Sequence, residues 1–143
     1  MTRSGEMMIT LSKTHLTEIQ NHGTEAYPEE CCGAMLGRDK TVHKIVRIEN
    51  QSSENKHRRF SITPQDYMAL EKLAKKEGLN LLGFYHTHPD HPARPSETDL
   101  KFAWPVFSYI ILSIQKGVPG EFNSFVLDEE AQAFLPEKIS SLD

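Results

Sequence analysis

Residues 86–99 read His-Thr-His-Pro-Asp-His-Pro-Ala-Arg-Pro-Ser-Glu-Thr-Asp; His86 and His88 stand two apart, and Asp99 follows His88 by eleven. If the preceding run Asn80 to Tyr85 is a strand, residues two apart share a face and both imidazoles converge on one point. Two imidazoles and a carboxylate are a donor set for a catalytic zinc, because three protein ligands leave a fourth tetrahedral position to water. Zinc lowers the pKa of such a water to about 7, which makes a nucleophile available at neutral pH. Each piece alone has an ordinary meaning. A His-x-His pair ending a strand is commonly two hydrogen-bonded side chains, and Ser96-x-x-Asp99 after Pro95 is a helix N-cap pattern. The joint spacing, His-x-His-Pro followed by Pro-Ser-x-x-Asp, points to a metal. The two readings agree, since a helix whose first turn carries Asp99 holds that carboxylate in a fixed place opposite the imidazoles.

Metal-assisted hydrolysis also needs a carboxylate that takes a proton from water and returns it to the leaving group. Among 20 acidic residues, Glu29 and Glu30 stand out because they lie between Pro28 and an apolar run. Position alone does not choose between them, and both also fit as charged residues where a strand begins. Cys31 and Cys32 raise the alternative of a thiol nucleophile; adjacent residues of a strand face opposite ways, so one of them at most faces a cleft, and the reading as small buried hydrophobes is favoured. His91, in the proline-rich loop, is an exposed loop histidine, with an extra ligand or a substrate contact as the functional alternative.

The elements that position these residues follow from pattern. Leu16, Ile19, Gly23 and Ala26 recur at helical spacing from about Lys13 to Ala26, with Ser12 as cap and Pro28 ending the helix. Glu29 to Gly37 reads as a buried strand, and Val42 to Ile48 as its hairpin partner around Arg38-Asp39-Lys40. Asn50 to Arg59 reads as a polar loop whose Lys-His-Arg-Arg tip is a solvated charge run, and Phe60 to Ile62 as a short strand. Pro64 opens a helix to Lys76, stopped by Gly78. Leu79 to His86 is the strand that delivers the histidines, and Ser96 to Trp104 the helix that delivers Asp99. Val106 to Gln115 is a central strand, and Phe122 to Leu127 and Ala131 to Leu135 are late ones. The expected fold class is therefore α/β, a single-domain mixed and mostly antiparallel β-sheet flanked by helices. Residues 1–7 are expected to be a flexible N-terminal tail and 8–143 the domain.

A chain of 143 residues fits one domain with a real core. The net charge of −4 and a pI near 6.0 argue against phosphate-driven nucleic-acid binding. Two adjacent cysteines cannot staple distant segments, and no apolar run is long enough to span a bilayer, so a reducing cytoplasm without membrane contact is expected.

Glu30-Cys31-Cys32-Gly33 with Leu36-Gly37, followed by His86-x-His88-Pro89 and Pro95-Ser96-x-x-Asp99, resembles the JAMM (MPN-plus) metallopeptidase family. The resemblance implies a JAMM/MPN fold with cytidine-deaminase-like α-β-α layering, one Zn2+ per chain held by His86, His88 and Asp99, Glu30 as general acid/base, and Ser96 as an oxyanion donor. It implies cleavage after the C-terminal Gly-Gly of ubiquitin or a ubiquitin-like protein. The compact length and the Tyr-Pro-Glu-Glu-Cys-Cys-Gly opening resemble the stand-alone prokaryotic branch, whose members often process sulfur-carrier proteins. The bond, whether peptide, isopeptide or cysteine adduct, stays open at this point. Two other readings share features: a non-catalytic adaptor for a ubiquitin-like partner, and a RadC-like DNA-repair-associated protein with the same His-x-His-Pro and Pro-Ser-x-x-Asp spacing. The Glu-x-Cys-Gly run and the acidic charge speak against the latter.

Overall fold

The computed structural model describes residues 7–49, 62–101 and 103–142; all but Met7 of the tail read at 1–7, the loop read at 50–59 and all but Ile62 of the short strand read at 60–62 lie outside the described residues. The order along the chain is β1 (Met8–Leu11), α1 (Lys13–Ala26), β2 (Cys32–Arg38), β3 (Thr41–Ile48), α2 (Pro64–Lys76), β4 (Asn80–Pro89), α3 (Glu97–Lys101), β5 (Ser108–Gln115), β6 (Val118–Asp128) and β7 (Ala133–Ser141).

Two tight turns set much of the sheet. Asp39 and Lys40, with φ of 51° and 61°, join β2 to β3, and Lys116 and Gly117, with φ of 52° and 82°, join β5 to β6. Left-handed backbone at both central residues is what a two-residue hairpin requires, because its twist then matches that of the strands. This turn also explains why β6 begins at Val118, four residues before the apolar pattern alone predicts: Gln115 and Val118 are directly paired. The spatial order is β1-β3-β2-β4-β5-β6-β7, with four antiparallel pairings and three parallel ones: β4–β5, β1–β3 and β1–β7. The mixed, mostly antiparallel sheet with flanking helices is thus the one expected.

Several other elements differ in extent from their sequence pattern, β1, β7 and α3 among them. Met8–Leu11, to which the sequence assigned no element, is a strand that closes the sheet by pairing in parallel with β7 from Met8↔Lys138 to Leu11↔Ser141. β7 is correspondingly longer than the run of apolar residues ending at Leu135, because this pairing holds its polar end. α3 is a helix of 5 residues rather than one reaching Trp104, and the Trp104 amide donates instead to the Tyr109 hydroxyl at 2.7 Å.

The helices cover the sheet because each presents a narrow apolar stripe. Ser12 caps α1, accepting from the His15 amide, and α1 buries Ile19 and Gly23. A Cβ on Gly23 would meet Thr87 and Ile114 side-chain carbons at 2.9 Å, so the glycine permits the close approach of α1 to β4 and β5. This face holds one core cluster, including Ile9, Met35, Tyr85 and Leu112. α2 begins with a full capping box between Thr63 and Asp66 and buries Leu70 and Ala74 against a second cluster that includes Cys32, Ala34, Leu36 and Phe84. No described helix is long and apolar enough to cross a membrane.

Candidate metal centre

β4 runs on through both histidines to Pro89 rather than ending at His86, and this continuity fixes their common direction. It is held on both sides, with Cys32 opposite His86 on β2, and Ile111 and Ser113 opposite His86 and His88 on β5. Alternation then sends Tyr85 and Thr87 toward α1 and the two imidazoles to the other face, shared with Phe84 and Cys32. Asp99 comes from α3. The Ser96 hydroxyl accepts the Asp99 amide at 3.0 Å, and the Ser96 amide donates to Asp99 Oδ2 at 2.8 Å, a reciprocal box that fixes the carboxylate in the first turn.

These residues come together as expected. His86 Nε2 lies 3.1 Å from His88 Nε2 and 3.2 Å from Asp99 Oδ1, and His88 Nε2 lies 3.1 Å from Asp99 Oδ2. With ligand bonds of about 2.0–2.1 Å, neighbouring donors of a tetrahedral zinc are about 3.3 Å apart. The observed triangle is close to one face of such a tetrahedron, and all three groups offer a ligand atom to the same point. The donor set therefore fits zinc. His88 Nδ1 sits 2.9 Å from the Pro92 carbonyl, and since a carbonyl only accepts, Nδ1 carries a proton, which leaves Nε2 as the nitrogen a metal would take.

Burial lowers the His88 imidazole, but the hydrogen bonds to Asp99 and to the Pro92 carbonyl outweigh it and raise the group. Burial raises the Asp99 carboxyl, but the hydrogen bonds from His86, His88 and the Ser96 amide outweigh it and hold the group well below the usual carboxylate range. Burial lowers His86 toward the neutral imidazole that a metal requires, against the opposing pull of Asp99.

The two candidate glutamates are separated by burial: Glu29 is exposed, whereas Glu30 is only 5% exposed. The Thr87 amide donates to the Cys31 carbonyl at 3.1 Å, and the Cys31 amide to Thr87 Oγ1 at 3.0 Å, so the β2 register continues past Cys32↔His86. Two residues farther on, Glu30 falls opposite His88. Burial pushes its carboxyl up to about 8, with His88 lowering it and Asp99 raising it further.

Ser96 is exposed at the lip of the site. Cys31 and Cys32 are both buried free thiols, and burial pushes Cys31 up to about 11 and Cys32 higher still. Neither is a thiolate nucleophile near neutral pH. His91 is exposed and lies outside the three-residue donor group. Two residues absent from the sequence reading also bear on the site: Ser113 Oγ donates to the His91 carbonyl at 2.6 Å, and Asn123 Nδ2 to the Ala93 carbonyl at 2.9 Å. Their signal was a polar residue inside an apolar strand, Ser113 within Tyr-Ile-Ile-Leu-Ser-Ile and Asn123 next to Phe122, where burial demands a hydrogen-bond partner.

Comparison with known proteins agrees with this picture. Residues 12–128 match the family Prok-JAB, prokaryotic homologs of the JAB domain. A probable TtuB-protein conjugate cleaving protease of Thermus thermophilus is 33% identical over 121 residues, 84% of this chain and 76% of that protein. A desampylase of Haloferax volcanii is 30% identical over 89 residues, 60% of this chain; the match spans 63% of the desampylase, just under two thirds of its length. The solution structure of protein DSY2949 from Desulfitobacterium hafniense has a TM-score of 0.82 at 31% identity, covering 95% of this chain and 94% of that one. The fold is also that of AF2198, a JAB1/MPN domain protein from Archaeoglobus fulgidus, with a TM-score of 0.61 at 16% identity, covering 97% of this chain and 100% of that one.

Proposed function

This chain belongs to the prokaryotic homologs of the JAB domain, and from that premise we propose that it is a zinc-dependent hydrolase cleaving the peptide or isopeptide bond after the C-terminal Gly-Gly of a ubiquitin-like, sulfur-carrier-type protein. The observation that carries the reading is the triangle of His86 Nε2, His88 Nε2 and an Asp99 oxygen, with the buried Glu30 opposite His88 in register. Its similarity to a conjugate cleaving protease of Thermus supports the substrate class.

His86, His88 and Asp99 would hold the zinc, which supplies a Lewis acid for the scissile carbonyl and lowers the pKa of water. Glu30 takes the proton of the attacking water and returns it to the leaving amine; a carboxyl lifted toward neutrality by burial is suited to both transfers. The Ser96 hydroxyl accepts the Asp99 amide, which leaves its own proton to donate to the oxyanion as the carbonyl becomes tetrahedral. A Gly-Gly tail has no side chains to clash in a narrow cleft and can lie extended.

The test is incubation of the zinc-loaded protein with sulfur carriers extended beyond Gly-Gly by a peptide, by a lysine-linked protein or by a cysteine, read by intact mass. A new Gly-Gly C-terminus is expected, and Glu30→Gln is expected to keep zinc but lose turnover. Glu30→Gln with undiminished turnover, or a wild-type protein that takes no zinc at saturating concentration, would sink the reading.

A further inference from the structure

Between β4 and α3 the chain crosses a short loop, and one carbonyl of that loop sets the His88 ring. The Pro92 carbonyl, 2.9 Å from His88 Nδ1, accepts the Nδ1 proton and so sets the direction in which Nε2 points. A carbonyl in an exposed loop can do this only if the loop is held still, and here it is held on either side of Pro92. On one side Ser113 Oγ donates to the His91 carbonyl at 2.6 Å. On the other, Asn123 Nδ2 donates to the Ala93 carbonyl at 2.9 Å, with Ala93 fully buried. At the loop's start the Asp90 amide donates to the Ile114 carbonyl at 2.7 Å.

Ser113 and Asn123 belong to strands that supply no ligand, and both lie outside the His-x-His and Ser-x-x-Asp segments. Ser113 is 2% exposed and directly opposite His88 in register. Placed there, a hydroxyl gains nothing from burial except the bond it makes, because an unsatisfied buried hydroxyl is costly. Its one donated bond goes to the loop rather than to its own strand's neighbours.

We propose that Ser113 and Asn123 are positioning residues of the metal centre: together they clamp the Asp90–Arg94 loop so that the Pro92 carbonyl holds the Nδ1 proton and fixes the direction of the His88 ring. The proposal rests on the zinc-hydrolase reading for its purpose, though the clamp on the ring is a property of the protein alone. Neither residue belongs to the donor group, and the hydrogen bonds each donates go to the loop that carries Pro92.

Two readouts test it, on the full chain carrying Ser113→Ala, Asn123→Ala or Ser113→Thr. With 15N-labelled histidine in metal-free protein at neutral pH, the wild-type His88 Nδ1–H should be protected from exchange with water by the Pro92 carbonyl, and Ser113→Ala and Asn123→Ala should lose that protection. Zinc affinity should fall about tenfold in each, the low end for loss of a hydrogen bond behind a ligand, with a shifted visible spectrum when Co2+ replaces zinc. Ser113→Thr, which keeps the hydroxyl, should restore all three. A lowered melting temperature with unchanged Nδ1–H exchange and affinity would reduce both residues to packing and overturn the clamp. If the exchange responds but the wild-type binds no zinc, the clamp stands and the proposed function falls.

Discussion

Glu30 sits where a charge is costly: nearly buried, near the Asp99 carboxylate, and with its carboxyl pushed up to about 8 by burial. In the unfolded chain the same group titrates near its ordinary value of 4.5. Below that value both states hold the proton and Glu30 costs nothing. Between the two values the unfolded state has released its proton while the folded state keeps it, so the metal-free protein loses stability as pH rises and the loss levels off near the upper value. Glu30→Gln cannot ionise and escapes the loss. Urea unfolding with chelator present should therefore show Glu30→Gln gaining on the wild-type across this window and holding a constant lead above it. A cation in the donor triangle favours the carboxylate, so added zinc should shrink the lead. A lead that is the same at every pH would mean that Glu30 faces water, which would remove the reason for assigning it the proton transfer.

At the scale of elements, the site depends on β2 and β4 lying close together, and Gly33 sets that approach. A Cβ there would fall 2.2 Å from the ring of Tyr85, which is fully buried and whose hydroxyl lies 2.7 Å from His22 Nδ1. The glycine of the Glu-Cys-Cys-Gly run thus has a packing reason: it makes room for an aromatic ring on the face opposite the metal. Gly33→Ala should displace that ring and cost about 1–3 kcal/mol, the usual range for overpacking a core. Because Cys31 and Thr87 are bonded just beyond, at the Glu30 end of the same pairing, zinc affinity should drop as well. Denaturation and zinc titration of the same sample check both; a variant as stable as the wild-type would show that Tyr85 relaxes freely and that Gly33 is not what holds the strands together.

At the scale of the whole molecule, what was legible in the sequence and what was not divide by range. His86, His88 and Asp99 lie within one short stretch, so residue types and spacing were enough to find them; Glu30 lies one strand pairing away, and only the family resemblance singled it out from Glu29. The β1 residues Met8–Leu11 are too few to show a period; they are a strand because Lys138–Ser141, at the far end of the sequence, pairs with them. The same holds for the clamp from β6 to the loop, which joins Asn123 to Ala93. Closure of the sheet brings together another group that no local pattern announces. Glu137 on β7, with its side chain 1% exposed, is bonded by Ser124 Oγ at 2.7 Å and paired with Lys40 Nζ at 3.4 Å, and Lys40 also donates to Ser108. Lys40 comes from the β2–β3 turn, so the pair ties the first hairpin to the last strand. Removing one partner of a buried pair costs about 3–5 kcal/mol, and since the Lys40 side chain is 38% exposed, Lys40→Met should cost somewhat less, about 2–4 kcal/mol. Lys40→Met combined with Glu137→Leu should recover most of that, because the stranded carboxylate is gone. Ser108 pairs with Gly83, at the far end of β4 from His88, so zinc affinity should stay at the wild-type value in both variants. If Lys40→Met unfolds at the wild-type urea concentration, Glu137 is compensated by its neighbours without the lysine, and the sheet's closure must rest on the β1–β7 backbone ladder instead.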